Sequence, residues 1–387
     1  MSGTSADGID IALVDFSDDA KPRLVASHYE PYNQEIRESI TRLYVSGTDE
    51  IEHMGRLDKL LANEFSHAVQ QFLSKQKLAS KDIQAIGNHG QTIRHRPKPS
   101  QSPSGHNHSD AFTLQIGCSQ TLACLTSIPV IGKFRDKDIA LGGQGAPLVP
   151  AFQQQLFTQS ERDNLVLNIG GIANLTFLPA ASTKKSTQSV TGFDTGPGNC
   201  LLDDWYTQHH SDGNHYDRNG DWASQGNLIP ALLDTMCADL YFQQPAPKST
   251  GREIFHLDWL VSKIASAGLT LPLPEDVQAT LLSLTAKTIA NDIKSLSTSA
   301  DVWLCGGGRH NTALISALRR ELTSETRANS NASYQLASID DINIDGDNLE
   351  AMAFAWLAYA YQKNIFSNMP SVTGARKSTT LGVLFNP

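Results

Sequence analysis

Asp194 stands in the run Thr191-Gly192-Phe193-Asp194-Thr195-Gly196-Pro197-Gly198-Asn199, a carboxylate on a Gly/Pro loop just ahead of the apolar pair Leu201-Leu202. Shortly before it, Val166-Leu167-Asn168-Ile169-Gly170-Gly171-Ile172-Ala173-Asn174 reads as strand, paired-glycine turn, strand. The glycine pair is expected to turn with positive φ and to leave backbone N–H groups open to phosphate oxygens. An acid beside a phosphate loop is the layout of phosphoryl transfer with a general base. Taken singly, each half equally describes an ordinary hairpin turn with a solvated Asp. Their proximity and three companion loops carry the functional reading.

The first companion is the N-terminal run Met1-Ser2-Gly3-Thr4-Ser5-Ala6-Asp7-Gly8-Ile9-Asp10, a polar glycine loop feeding a strand. Thr4 and Ser5 offer hydroxyls, Gly3 and Gly8 free the backbone, and Asp7 or Asp10 can reach a hydrated Mg²⁺. The second is Gly306-Gly307-Gly308-Arg309-His310-Asn311, between a buried strand and a helix start, where a nucleotide can approach the backbone. The third is Asn88-His89-Gly90-Gln91-Thr92-Ile93-Arg94-His95-Arg96-Pro97, read as a polar loop at a strand end. Lys133, Arg135 and Lys137, alternating with Asp136 and Asp138 before a Gly142–Gly145 loop, offer local positive charge for an anionic substrate; a solvated turn with mutual ion pairs describes them as well. Gly132-Lys133 is not a P-loop, because Phe134 stands where Ser or Thr is needed. Tyr241 to Glu253 mixes aromatic residues, Pro, Lys and Arg in a loop-like, ligand-like segment.

These loops need strands and helices to hold them. Hydrophobic periodicity predicts strands over 9–16, 23–29, 83–87, 112–116, 129–132 and 301–305, with a closing strand within 379–385. It predicts helices over 34–46, 50–77, 119–126, 201–209, 276–295 and 351–361, and one from Pro147 to about 158. Asn348 is the expected N-cap of the 351–361 helix, with Glu350 favourable at its positive end. Residues 98–110, with His106 and His108, read as a surface loop, 180–189 as a hairpin loop and 323–333 as a polar loop.

A chain of 387 residues suffices for two domains, and 40% hydrophobic with 18% charged residues is the balance of a soluble protein. A net charge of −9 argues against nucleic acid or an anionic membrane as partner. No transmembrane run or signal peptide is read, and five cysteines without CxxC spacing point to reduced thiols in the cytoplasm.

The ordered motifs Met-Ser-Gly-Thr-Ser-x-Asp-Gly at 1–8, Gly-Asn-His-Gly-Gln-Thr at 87–92, Gly-Gly-Gln-Gly-Ala-Pro-Leu-Val-Pro at 142–150, Asn-Ile-Gly-Gly-Ile-Ala-Asn at 168–174, Phe-Asp-Thr-Gly-Pro-Gly-Asn at 193–199 and Cys-Gly-Gly-Gly-Arg-His-Asn at 305–311 resemble the anhydro-N-acetylmuramic acid kinases, within the actin, Hsp70 and sugar-kinase superfamily. The resemblance spans nearly the whole chain. It implies an α/β, two-lobed actin-like ATPase (ribonuclease H-like) fold with a cleft between lobes: residues 1–160 with 348–387 returning, and 161–347. It implies an ATP-dependent, Mg²⁺-dependent kinase of cell-wall recycling. Such an enzyme opens 1,6-anhydro-N-acetylmuramic acid with water and phosphorylates O6 to give N-acetylmuramic acid 6-phosphate.

On this resemblance Asp194 is the catalytic base and Glu350 a second catalytic carboxylate, with Asp7 and Glu350 toward Mg²⁺. ATP would be held by Gly3, Thr4, Ser5, Ala6, Asp7, Gly8, Ile9, Asp10, Gly170, Gly171, Asn174, Gly306, Gly307 and Gly308. The sugar would meet His89, Gln91, Thr92, Arg135, Gly196 and Asn199. A kinase for another sugar or amino sugar, or an actin/Hsp70-like regulatory ATPase, is the alternative, and a homodimer is left open. The resemblance also implies an apolar strand ahead of Met-Ser-Gly-Thr-Ser. Here Met1 is the motif's own Met, so either the start is placed late or the loop is anchored only on its C-terminal side.

Overall fold

The computed structural model describes residues 1–3, 6–18, 22–97, 111–157, 161–180, 189–246, 248–252, 254–324, 333–342 and 344–387. Thr4 and Ser5, the loop 98–110 with its two histidines, nearly all of the 180–189 and 323–333 loops, Pro247 and Glu253 lie outside the described residues. In chain order the elements begin β1 (Gly8–Asp15), β2 (Arg23–Pro31), α1 (Gln34–Arg42), α2 (Glu50–Gln76), β3 (Ile86–Gly87), β4 (Gln91–Arg96), β5 (Phe112–Ile116), α3 (Ser119–Thr126), β6 (Val130–Gly132), α4 (Asp136–Ala140) and α5 (Val149–Leu156). They continue with β7 (Asp163–Ile169), β8 (Ile172–Leu178), β9 (Thr191–Pro197), α6 (Cys200–His209), α7 (Pro230–Cys237), α8 (Leu257–Ser266), α9 (Pro274–Leu296), β10 (Ser299–Cys305), α10 (Thr312–Ser324) and β11 (Ser333–Ser338). The chain closes with α11 (Leu349–Gln362), α12 (Pro370–Thr373) and β12 (Val383–Phe385). The protein is mixed α/β and divides into two units, residues 1–156 with 348–387, and 157–347.

The 157–347 unit is built on one sheet of order β11-β10-β7-β8-β9. β10 runs parallel to both β11 and β7, while β7, β8 and β9 form an antiparallel meander. Leu165, Leu167, Ile169, Leu175 and Phe177 are almost wholly buried with the inward faces of α6 and α9, which supply Leu201, Leu281, Leu284 and Ile289. This sheet places the ends of β7, β9 and β10 together, where the glycine runs begin.

The other unit holds three small sheets, β1-β2, β12-β6-β3 and β4-β5. The 88–97 segment read as a loop is in part a strand: β4 pairs antiparallel with β5, with buried Gln91 and Ile93 alternating with less buried neighbours. The chain start is fixed on both sides. The Met1 ammonium donates to the Asp10 carbonyl at 2.7 Å, Asp10 N–H donates back to the Met1 carbonyl at 2.8 Å, and Ser2 bridges in parallel to Gln91. Anchoring only on the C-terminal side is therefore corrected.

A cavity of about 740 Å³ opens in this unit. Consecutive residues Ile9–Ser17, taking in most of β1, and Asp82–Asn88, taking in β3, line it. Phe65, Val69 and Phe72 of α2 lie on one side, and Ala351, Ala355 and Ala358 of α11 on another.

Candidate active site

Asp194 is a strand residue, not a loop residue as its glycine-rich context suggested. It sits in β9, directly across the ladder from Asn174 of β8. Its Oδ2 accepts from Ser249 Oγ and from the Thr250 amide, both at 3.0 Å. A cap on α6 is thereby excluded for these bonds; Asn199 precedes that helix instead, without a side-chain cap bond.

The glycine runs of the 157–347 unit converge beside it. Gly198 N–H and Asn199 N–H donate to the carbonyls of Gly171 and Gly170 at 2.9 and 2.8 Å, and Asn199 Nδ2 reaches the Ile169 carbonyl at 3.3 Å. Gly306, at φ +74°, lies so close that an added methyl would stand 2.3 Å from Asn168 Oδ1; one at Gly308 would stand 2.3 Å from Ile169 Cγ2. Close packing therefore explains those two glycines. It does not explain Gly170, Gly171 or Gly307. Neither Gly170 nor Gly171 has the positive φ that the sequence suggested. A methyl at Gly170 or Gly171 would meet nothing closer than 3.5 or 3.8 Å, and one at Gly307 nothing within 4 Å. These three positions leave room for another molecule to reach the backbone, which suits phosphate and nucleotide. Gly196, at φ +145°, rests against Phe242.

In the other unit a second cluster forms round the N-terminal segment. The Ser2 hydroxyl lies 2.5 Å from Gln91 Oε1, 2.9 Å from Tyr32 Oη and 3.0 Å from the Gly8 carbonyl. Gln91 is fully buried and its amide donates to the Gly3 carbonyl at 3.0 Å, so it braces the loop. His89 Nδ1 donates to the Ser2 carbonyl at 3.2 Å, and its Nε2 accepts from Arg135 Nε at 3.1 Å. Burial first, and Arg135 next, hold the imidazole well below its usual value, so it is neutral with the proton on Nδ1. Arg135 also donates to the Gly145 carbonyl at 2.7 Å. Of the three candidate cations here, Lys133 pairs with Asp136 and Lys137 donates to the Thr380 carbonyl, leaving Arg135 as the one joined to the cluster. Thr92 accepts from Gln115 at 3.2 Å. Ala6 is buried with φ 52°, Ile9 is buried, and Asp7 is exposed with its carbonyl accepting from Tyr32 N–H.

Glu350 opens α11 and keeps solvent contact, yet surrounding protein raises its carboxyl pKa while Arg135 and the Met1 ammonium pull it down. Asp10 is raised too, chiefly by desolvation. The two carboxylates repel each other, Arg135 and Met1 supplying the counter-charge. Two carboxylates that repel each other offer hard oxygen donors of the kind that fit Mg²⁺, which is commonly held by one or two carboxylates and the phosphates of its substrate. Among the described residues no group of three or more His, Cys, Asp or Glu stands ready to cage a metal alone. Asn348 makes no side-chain cap bond to α11.

Sequence reasoning did not find Ser249, Thr250 or Asp138. Asp138 is fully buried and accepts from Asn368, Thr373 and the Gly145 amide, which fixes the 142–145 loop. A carboxylate in a run of alternating charges gave no sign of that burial. Ser249 and Thr250 lie in the segment already marked ligand-like, but nothing in the sequence named their partner. Among the described residues no helix is long and apolar enough to cross a membrane, and the five cysteines are free.

The protein-family profile described as anhydro-N-acetylmuramic acid kinase matches residues 1–387. Similar proteins of that name include one from Colwellia psychrerythraea, 53% identical over all of this chain and 96% of the relative, and one from Shewanella loihica, 45% identical over all of this chain and 97% of the relative. Another, from Haemophilus influenzae, is 44% identical over all of this chain and 96% of the relative. Among solved structures the likeness is distant: an activator of the 2-hydroxyisocaproyl-CoA dehydratase from Clostridium difficile with bound ADPNP shares 13% identity and a TM-score of 0.42 over 89% of each chain, too little to carry an argument. A family match over residues 1–387 and identity above two-fifths across the full length settle the membership: this chain belongs to the anhydro-N-acetylmuramic acid kinase family.

Proposed function

We propose that the protein uses ATP and water to convert 1,6-anhydro-N-acetylmuramic acid into N-acetylmuramic acid 6-phosphate, with Asp194 as the base. The observation that carries this is the Asp194 carboxylate, bonded by Ser249 and Thr250, on the strand paired with the Gly170-Gly171 hairpin. A regulatory ATPase has no need of a buttressed carboxylate at that position.

Water attacks the anomeric carbon and gives its proton to Asp194, as in an inverting glycosidase. The bond from that carbon to O6 breaks. O6 attacks the γ-phosphorus, the bond to the β-phosphate oxygen breaks, and ADP leaves. Phosphorylation thus takes the electron pair that an acid would otherwise protonate. The N–H groups of Gly170 and Gly171 and of the 3–10 segment would cradle phosphate oxygens, with Thr4 and Ser5 as further contacts; Asn174 neighbours the base, and the 306–308 run would take the nucleoside. Gly196 and Asn199 would border the sugar. Arg135, held by His89, would offset negative charge, with Gln91 and Thr92 supporting from behind. Bound Mg²⁺, taken by Glu350 with Asp10 or Asp7, would screen charge between phosphate oxygens. The use of ATP and a wall-derived sugar supports a cytoplasmic role in cell-wall recycling.

Mass spectrometry of product made in ¹⁸O-water tests the scheme. One ¹⁸O on the anomeric carbon and none in the phosphate is expected. Label in the phosphate, or unlabelled sugar in a short incubation, would overturn it.

A further inference from the structure

Tyr241, Lys248, Ser249 and Thr250 bind Asp194 from several sides, but no step of the scheme above is assigned to them. Tyr241 Oη donates to the Asp194 carbonyl at 2.6 Å, and the Lys248 carbonyl accepts from the Asp194 amide at 3.0 Å. Ser249 Oγ and the Thr250 amide then both take Oδ2. These residues are themselves pinned. The Lys248 side chain is 3% exposed, pairs with Asp292 of α9 at 3.3 Å, and stands 5.3 Å from the centre of the Tyr241 ring. Backbone and side chain of one carboxylate are thus gripped by a single short loop anchored on a buried ion pair.

A carboxylate on a strand can rotate about two bonds. Two donors on one oxygen fix its plane, and hydrogen bonds to a carboxylate favour its ionised form. We propose that Ser249 and the Thr250 amide are positioning groups for Asp194, fixing through Oδ2 the plane of the carboxylate that takes the proton from water. The Lys248–Asp292 pair ties the residue before Ser249 to α9. Ser249 touches neither sugar nor phosphate in this account; its effect passes through Asp194. The inference rests on Asp194 being the base.

The test compares Ser249→Ala, Ser249→Thr and Asp194→Asn with the parent protein, measuring kcat, both KM values, melting temperature and the pH–rate profile. Ser249→Ala is expected to lower kcat roughly tenfold, since a hydrogen bond to a charged group is lost. KM for ATP should stay within about twofold. The acidic limb of kcat should move to higher pH, because the ionised base has lost a donor. Ser249→Thr keeps the hydroxyl and should recover most of the rate. Parent-like kcat and pH limb in Ser249→Ala, beside an inactive Asp194→Asn, would overturn the positioning role and leave the base in place. A lower melting temperature with an unmoved pH limb would likewise overturn it, as a purely structural contact. An active Asp194→Asn would remove the base itself.

Discussion

Arg309 holds Asp347 through both terminal nitrogens, at 2.5 and 2.9 Å, while its Nε donates to Asp340 at 3.1 Å and Nη1 to the Gly306 carbonyl at 3.2 Å. The guanidinium side chain is 7% exposed, and the Asp347 carboxylate foremost raises its already high pKa. This planar fork fixes the first residue of the 306–308 run against the acidic pair.

Arg309→Ala is therefore expected to loosen that run. KM for ATP should rise about tenfold with kcat changed far less, because a binding surface is lost rather than a reacting group. Asp347 is largely exposed, so the stability loss should be modest, on the order of 1 kcal/mol or 2–4 °C. Steady-state kinetics at varied ATP beside a melting curve checks this. Unchanged KM for ATP would show that the run does not meet the nucleotide.

Long helices were legible because their apolar spacing leaves little choice. The 50–77 and 351–361 readings fall within two residues of α2 and α11 at every end. β9 was not, since Gly192, Gly196 and Pro197 imitate a loop and only pairing with β8 makes them a strand. β4 was missed for the opposite reason, its alternation being hidden among polar residues that a two-stranded sheet tolerates. Asp194, the glycine runs and His89 stood out by residue type, whereas the donors that orient Asp194 lie more than fifty residues further along. Contacts at that separation leave no periodic trace.

The 740 Å³ cavity makes a separate prediction. Asp10 turns its N–H and carbonyl to Met1, so the alternation of an antiparallel edge turns those of Ala12 into the cavity. An apolar strand joined ahead of Met1 would run along this edge, and five residues would bring it level with Asp15, the last residue of β1. With apolar helix faces on both sides, it should be apolar throughout. Such an extension is expected to raise the melting temperature by about 5 °C or more and to tighten ATP binding, because a longer ladder along β1 adds to the bonds that already hold Met1 and Ser2 before ATP arrives. Equal melting and equal nucleotide affinity would show that the cavity accepts no strand.

Asp203, in the first turn of α6, has its pKa raised to about 7 by burial, with Asp204 and Asp217 adding to the rise and Arg252 opposing it. The folded state thus holds this proton more tightly than the unfolded chain. Its contribution to stability is fully present below about pH 4 and is lost as pH rises through about 7. Asp203→Asn should flatten the stability profile between these limits and raise the melting temperature at pH 8 by on the order of 2–4 °C. Melting curves from pH 5 to 8 decide it; parallel profiles for parent and variant would contradict the shift.

The central claim is that Asp194 takes the proton of the attacking water. Asp194→Asn keeps size and hydrogen-bonding capacity but removes the base. Its most direct test is turnover of ATP and anhydro sugar by this variant, with the melting temperature measured on the same preparation. The account predicts a fall of at least the ~10²–10⁴-fold typical of a general base, with melting and ATP binding close to the parent. A variant that melts lower but turns over near the parent rate would contradict it.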